Sequence, residues 1–206
     1  MRLHINLIFT VLFISLLGLS SKAEITLNEL IFDESKTFHL KILEAIPEAG
    51  KIQIGANNAE NTIIEFFDYF CGYCKKIHNE LVDLAQSRDD VRVVFLQHPI
   101  LNESSNVIAK IAIAASMQGK GFEFHHSIFS IQGSITSEKL AEAITKSGVN
   151  EVQLKIDMNE TQVEKIIKIS SFLAGASGAR GTPALFINDN FYGGYIPQNK
   201  IISLLK

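Results

Sequence analysis

The sequence predicts an α/β fold in which a helical segment is inserted between two sheet-forming halves. Three observations predict it. The apolar run "NTIIEFF" (residues 61–67) is followed by a helix-patterned stretch from Cys71 and by a second apolar run, "VRVVFL" (residues 91–96). Strand, helix and strand in that order imply a parallel pair. Residues of about 102–178 carry only helical periodicity, punctuated by Gly119, Gly121, Gly133 and Gly148. After them, "ALFIND" and "NFYGG" read as a hairpin. The chain has 206 residues, 47% of them hydrophobic, enough for one domain with a sizeable core. Its net charge of −3 gives no reason to expect nucleic acid or an anionic surface as partner.

Taken in chain order, residues 1–23 are expected to be a signal peptide. Arg2 supplies a basic start, Ile5 to Leu19 an apolar run, and Ser21 and Ala23 the small residues of a cleavage site. The run is shorter than the roughly 20 apolar residues of a membrane-spanning helix. Export to the periplasm, cleavage and no lasting membrane insertion are therefore expected. Residues 24–50 form an N-terminal extension with loosely helical apolar positions at Leu27, Leu30, Ile31, Phe38, Ile42, Leu43 and Ile46. This extension either packs on the domain or mediates oligomerisation.

Residues 51–206 are expected to be the main domain, with the helical insertion at about 102–178. "KIQIG" opens the core pattern, and "NTIIEFF" is a buried strand. The following helix buries Ile77, Leu81, Leu84 and Ala85 and turns Lys75, Lys76, Asn79 and Asp83 outward. Apolar stripes then run through Val107, Ile108, Ile111, Ala112 and Ala115, through Leu140, Ala143 and Ile144, and through Val163, Ile166, Ile167 and Ala174. The late hairpin is expected to turn at Asp189–Asn190. Pro197 is expected to start a terminal helix buried through Ile201, Ile202 and Leu205.

Cys71 and Cys74 are the only cysteines. They read as metal ligands, an inert bridge or a redox pair. In an exported chain disulfides persist, and a bridge this local would stabilise little through loop closure. Thiol–disulfide exchange needs an attacking thiolate, a resolving thiol and a stable leaving sulfur. At a helix N-terminus Cys71 meets unsatisfied N–H groups and the positive end of the helix dipole. If these lower its pKa from about 8.5 to about 5, the thiolate gains roughly 5 kcal/mol over the thiol. Cys74, one turn on, is expected to be more buried and to act as the resolving thiol. Glu65, in the buried strand, is expected to have a raised pKa and to want a partner; the competing reading is a strand-end glutamate paired to a surface lysine.

The order of elements, with "EFFDYFCGYCK", "GARGTPALFIND" and the closing "GGYIPQNKIISLL", resembles the DsbA-like thiol–disulfide oxidoreductases of the thioredoxin superfamily. The resemblance spans roughly residues 51–206 and implies a thioredoxin fold with an inserted helical subdomain. It implies a redox-active Cys71–Cys74 pair with no cofactor, an acidic residue (Glu65) beneath Cys74 that moves its proton, and a cis Thr182–Pro183 bond across from the cysteines. Thr182 would offer its backbone to an extended substrate, and Pro183 would limit the access of a metal to both thiols. Tyr73 stands where relatives often carry histidine; its hydroxyl brings a donor but no charge, so a less oxidising pair is expected. The implied partners are exported proteins with cysteine thiols and a membrane redox protein that reoxidises the pair.

Other readings are weaker. A zinc site of Cys71, Cys74 and His78 lacks a fourth ligand, and His78 is expected to cap an exposed helix face. His125 and His126, within "GFEFHHSIF", are expected to serve packing and surface. No histidine follows Cys74 in the pattern of haem attachment. A disulfide isomerase or reductase is the alternative within the class, favoured by Tyr73 in place of histidine and by the threonine before Pro183; an isomerase would need oligomerisation, for which residues 24–50 are the candidate segment. A periplasmic metal carrier or a non-catalytic binding protein is the alternative outside it.

Overall fold

The computed structural model describes residues 34–206. The expected signal peptide and the first part of the extension, with Leu27, Leu30 and Ile31, lie outside the described residues. The fold is built on a five-stranded sheet of β1 (Ile52–Ile54), β2 (Asn61–Phe67), β3 (Val91–Gln97), β4 (Ala184–Ile187) and β5 (Asn190–Gly193), in the order β1-β3-β2-β4-β5. Helix α2 (Gly72–Ser87) is the crossover that makes β2 and β3 parallel, with Ile63 opposite Val93. The remaining pairs are antiparallel.

Strands β2 and β3 are almost continuously apolar because helices cover both faces of the sheet. On one face Ile63, Phe67, Val93, Phe95, Leu185 and Ile187 pack with Ile77, Leu81 and Leu84 of α2. Alternation along β2 puts Glu65 on this same face. On the other face Ile64, Phe66, Val94, Leu96 and Phe186 meet Leu173 and Ala174 of the insert, together with Ile42 and Ile46. Ile42 belongs to α1 (Phe38–Ala45), and Ile46 ends it. The described part of the extension thus packs on the sheet.

The insert comprises α3 (Glu103–Met117), α4 (Gly121–Ser130), α5 (Ser137–Ser147), α6 (Glu151–Asp157) and α7 (Thr161–Ala176), within the span read from the sequence. Asn102 and Ser105 form a reciprocal cap on α3. Val107, expected in the buried stripe of α3, is 49% exposed; the buried face runs instead through Ile108, Ile111, Ala112 and Ala115. In the terminal helix α8 (Gln198–Ile202), Ile201 is buried but Ile202 is 44% exposed, against expectation. That helix is too short to bury more than one stripe. Pro197 is its cap rather than its first residue.

The hairpin turn falls one residue earlier than expected. Ile187 pairs with Asn190, so Asn188–Asp189 makes the turn. Asn188 takes a left-handed φ of 50°, which asparagine tolerates better than most residues. Its amide donates to Asn61 at 3.0 Å and accepts from the Thr62 N–H at 2.9 Å, pinning the hairpin to the start of β2. Asn188→Ala removes both bonds and strains the backbone, an expected loss of about 2–3 kcal/mol in urea unfolding. Asn188→Gly should recover about 1 kcal/mol of that loss, since it relieves the strain alone.

Candidate active site

Residues 68–71 carry the chain from the end of β2 to the start of α2, and Cys71 is the cap of that helix. Its sulfur accepts the Cys74 N–H at 3.4 Å, one of the donors that a helix start leaves unsatisfied. Both cysteines are free thiols. The Cys71 thiol is pulled down from about 9 to about 5, first by the hydrogen bond from the Cys74 thiol. Partial burial opposes this, and the Thr182 side chain and the N–H groups of Cys74 and Tyr73 assist it. When protonated, Cys71 donates to the Thr182 carbonyl at 3.2 Å. Ionisation ends that bond and frees the carbonyl.

Cys74 is fully buried, as expected, and its thiol is pushed far up by burial, by its bond to Cys71 and by Glu65. Glu65 is also fully buried, which raises its carboxyl well above the usual range. Among the described residues neither of its oxygens has a partner in regular hydrogen-bond geometry, yet the Cys74 thiol is close enough to act on it. The strand-end, surface-paired reading of Glu65 is therefore wrong. The Thr182–Pro183 bond is cis, and the Thr182 carbonyl faces Cys71, as the resemblance implied.

Tyr73 is 60% exposed and stacks on Tyr195, with ring centroids 5.8 Å apart. Tyr195 is itself fixed by donating to Glu80 at 2.7 Å, while Lys76 lies over its ring. It is the backbone N–H of Tyr73 that favours the Cys71 anion. Beside Cys71 a cavity of about 410 Å³, lined by Phe70, Ile128, Phe129, Ile131 and Ile135, opens between α2 and the insert. The sequence reading passed over Asp68, a buried acid that binds four donors next to the cysteines. A charged residue inside an aromatic run was the available signal.

His78 does not cap an exposed face. It is fully buried because α4 covers that side of α2. Its Nε2 lies 3.0 Å from Nδ1 of His126, and its ring meets Phe129 and His125. His125 is buried and its Nδ1 lies 3.1 Å from the Tyr69 hydroxyl, while His126 is at the surface, so the pair divides between packing and surface as expected. Among the described residues no group of three His, Cys, Asp or Glu side chains is placed to hold a metal. Burial lowers the His78 imidazole to about 3 and that of His125 well below its usual value.

A family model described as the DSBA-like thioredoxin domain matches residues 62–206. The structure resembles that of a periplasmic thioredoxin-like protein from Salmonella enterica serovar Typhimurium. That protein is 26% identical, and the match covers 80% of this chain and 93% of that one at a TM-score of 0.71. The thiol–disulfide exchange protein alpha-DsbA2 from Wolbachia pipientis is 27% identical, with 81% and 94% covered and a TM-score of 0.71. Among curated proteins, the Na(+)/H(+) antiporter NhaA of Herminiimonas arsenicoxydans is 26% identical over 161 residues, 78% of this chain and 26% of that protein. The chain spans about a quarter of the length of the curated relatives it matches. Among the described residues no helix is long and apolar enough to cross a membrane.

The buried histidines make a pH signature. The folded pKa of His78 lies below its unfolded value of 6.5, so its stability contribution is complete above 6.5 and is lost as pH falls toward about 3. His125 acts in the same direction. Glu65 acts oppositely: its raised pKa gives stability that is present below 4.5 and lost as pH rises. A comparison of variants isolates one group. His78→Phe should reduce the slope of unfolding free energy between about pH 6 and 4 by about 1.4 kcal/mol per pH unit, read from urea titrations. An unchanged slope would mean that His78 titrates alike in the folded and unfolded chain.

Proposed function

Because the chain belongs to the DSBA-like thioredoxin-domain family, we propose that it exchanges disulfides with the thiols of exported proteins, acting mainly as an oxidant. The observation that carries this reading is the Cys71 sulfur at the start of α2, its thiol lowered to about 5. What stabilises the thiolate also stabilises the reduced pair, and so makes its disulfide the stronger oxidant.

In this reading the enzyme begins as the Cys71–Cys74 disulfide. A substrate thiolate attacks Sγ of Cys71, the Cys71–Cys74 bond breaks, and a mixed disulfide joins substrate to Cys71. Cys74 leaves as a thiolate in a buried site that disfavours it. Glu65, its carboxyl raised well above the usual range by burial, delivers the proton that Cys74 needs. A second substrate thiolate then attacks the substrate sulfur of the mixed bond, and Cys71 leaves as a stabilised thiolate. The substrate has lost two electrons to the enzyme and gained a disulfide. Thr182, whose carbonyl is free while Cys71 is held in a disulfide and has no S–H to donate, pairs with the extended substrate backbone beside Pro183. Tyr73, exposed at the rim, offers the substrate an aromatic surface.

Export by residues 1–23, periplasmic residence and reoxidation by a membrane redox protein complete the proposal. The apolar start of the chain supports them, as does the likeness to a protein described as periplasmic. Isomerase or reductase action would use the same sulfurs with the Cys71 thiolate attacking a substrate disulfide. The absence of charge on the Tyr73 side chain, where relatives often carry histidine, favours that second reading, and the reduction potential separates the two.

Iodoacetamide trapping of Cys71 across pH should give a midpoint near 5; a midpoint near that of a free thiol, about 8.5, would sink the proposal. Equilibration in glutathione buffers should give a potential nearer about −120 mV than about −270 mV. Glu65→Gln should slow oxidation of a dithiol peptide about tenfold or more while leaving the Cys71 midpoint within about half a unit.

A further inference from the structure

We propose that Asp68 is a positioning residue that makes the placement of both cysteines depend on the first turn of the helical insert. The proposal rests on the reading of Cys71 and Cys74 as the exchanging pair. Asp68 is 1% exposed, and its carboxyl group is saturated by four donors. One oxygen, Oδ1, accepts the Phe70 N–H at 2.8 Å and the Ser105 hydroxyl at 2.8 Å. The other, Oδ2, accepts the Ile100 N–H at 2.8 Å and the Leu101 N–H at 2.9 Å. Phe70 immediately precedes Cys71. Ile100 and Leu101 lie between β3 and α3, and Ser105 is in the first turn of α3.

The main chain of Asp68 faces the other way, toward the sulfurs. Its carbonyl accepts the Cys71 N–H at 3.0 Å, and its N–H favours the Cys74 thiolate. One residue therefore joins both cysteines to a segment thirty-odd positions later in the chain. A local turn would need only the bond to Phe70, which aspartate commonly makes two residues ahead. The second oxygen is spent wholly on Ile100 and Leu101, which no local turn explains. Since no water is needed to satisfy the group, its position is determined on every side by protein donors. Any displacement of residues 100–105 must be carried through Asp68 to the loop that sets Cys71 at the start of α2.

The experiment is iodoacetamide titration of Cys71 in the intact protein, with thermal unfolding recorded alongside. Asp68→Asn keeps one carbonyl oxygen but turns an NH2 group toward backbone N–H donors. It should raise the Cys71 midpoint by about one pH unit, slowing alkylation about tenfold below the midpoint. Ser105→Ala removes one donor to Asp68, together with the acceptor of the Asn102 N–H in the cap, and should raise it by less. Asn102→Ala breaks the cap of α3, in which Asn102 accepts the Ser105 N–H at 3.0 Å, yet leaves all four donors to Asp68. It should lower thermal stability without moving the midpoint.

The electrostatic alternative has the opposite sign. If Asp68 acted only as a nearby negative charge, removing it would lower the midpoint. A lowered or unmoved midpoint in Asp68→Asn overturns the positioning role. So does an Asn102→Ala shift as large as that of Ser105→Ala, which would mean that any loosening of α3 has the same effect. Should Asp68→Asn fail to fold, Ser105→Ala against Asn102→Ala decides. A wild-type midpoint near that of a free thiol would instead remove the redox reading on which the proposal rests.

Discussion

The contact on which the rest depends is the one between the Cys71 sulfur and the N–H groups at the start of α2. It exists because a central strand, buried at all but one position, ends at a fixed point and a long helix, anchored through Ile77, Leu81 and Leu84, begins a few residues later. The same sheet brings the third part of the site. Strand β4 pairs beside β2, and the peptide before it delivers the Thr182 carbonyl to Cys71. Two segments more than a hundred residues apart thus meet through sheet register, which a packed core makes hard to slip.

Two sulfurs one helical turn apart are driven in opposite directions. Cys71 caps the helix, is 8% exposed and is acidic; Cys74 is fully buried and reluctant to ionise. Burial beneath the helix is the larger cause for Cys74, and donor groups are the larger cause for Cys71. In the exchange proposed above, that asymmetry makes Cys71 the sulfur that is attacked and Cys74 the one that departs. Burial also raises the Glu65 carboxyl well above its usual range beside Cys74, which in the proposed exchange suits it to hold a proton.

The strands and the helix from Cys71 were legible because apolar runs and helical spacing record burial directly. Cys71, Cys74 and their unequal environments followed from position alone. Other features depend on what an element packs against. His78 looked like a solvent-facing residue among Lys75, Lys76 and Asn79, but α2 is covered on two sides, by the sheet and by α4. The turn residue Asn188 was passed over for Asn190 because its value lies in bonds to Asn61 and Thr62, more than a hundred positions away. Asp68 was hidden for the same reason: its donors come from residues 100–105. The cis state of Thr182–Pro183 came from the resemblance and from no local signal.

The aromatic surroundings of the sulfurs have an optical consequence. The chain has four tyrosines and no tryptophan. Tyr73 sits between the cysteines, Tyr195 lies against it, and Tyr69 is two residues upstream. A phenol emits weakly beside a disulfide and recovers when the bond opens. Three of the four tyrosines lie close to the two cysteines in sequence or in space, and no indole adds to their emission. Electron exchange at Cys71 should be visible as a change in ultraviolet brightness, without a dye.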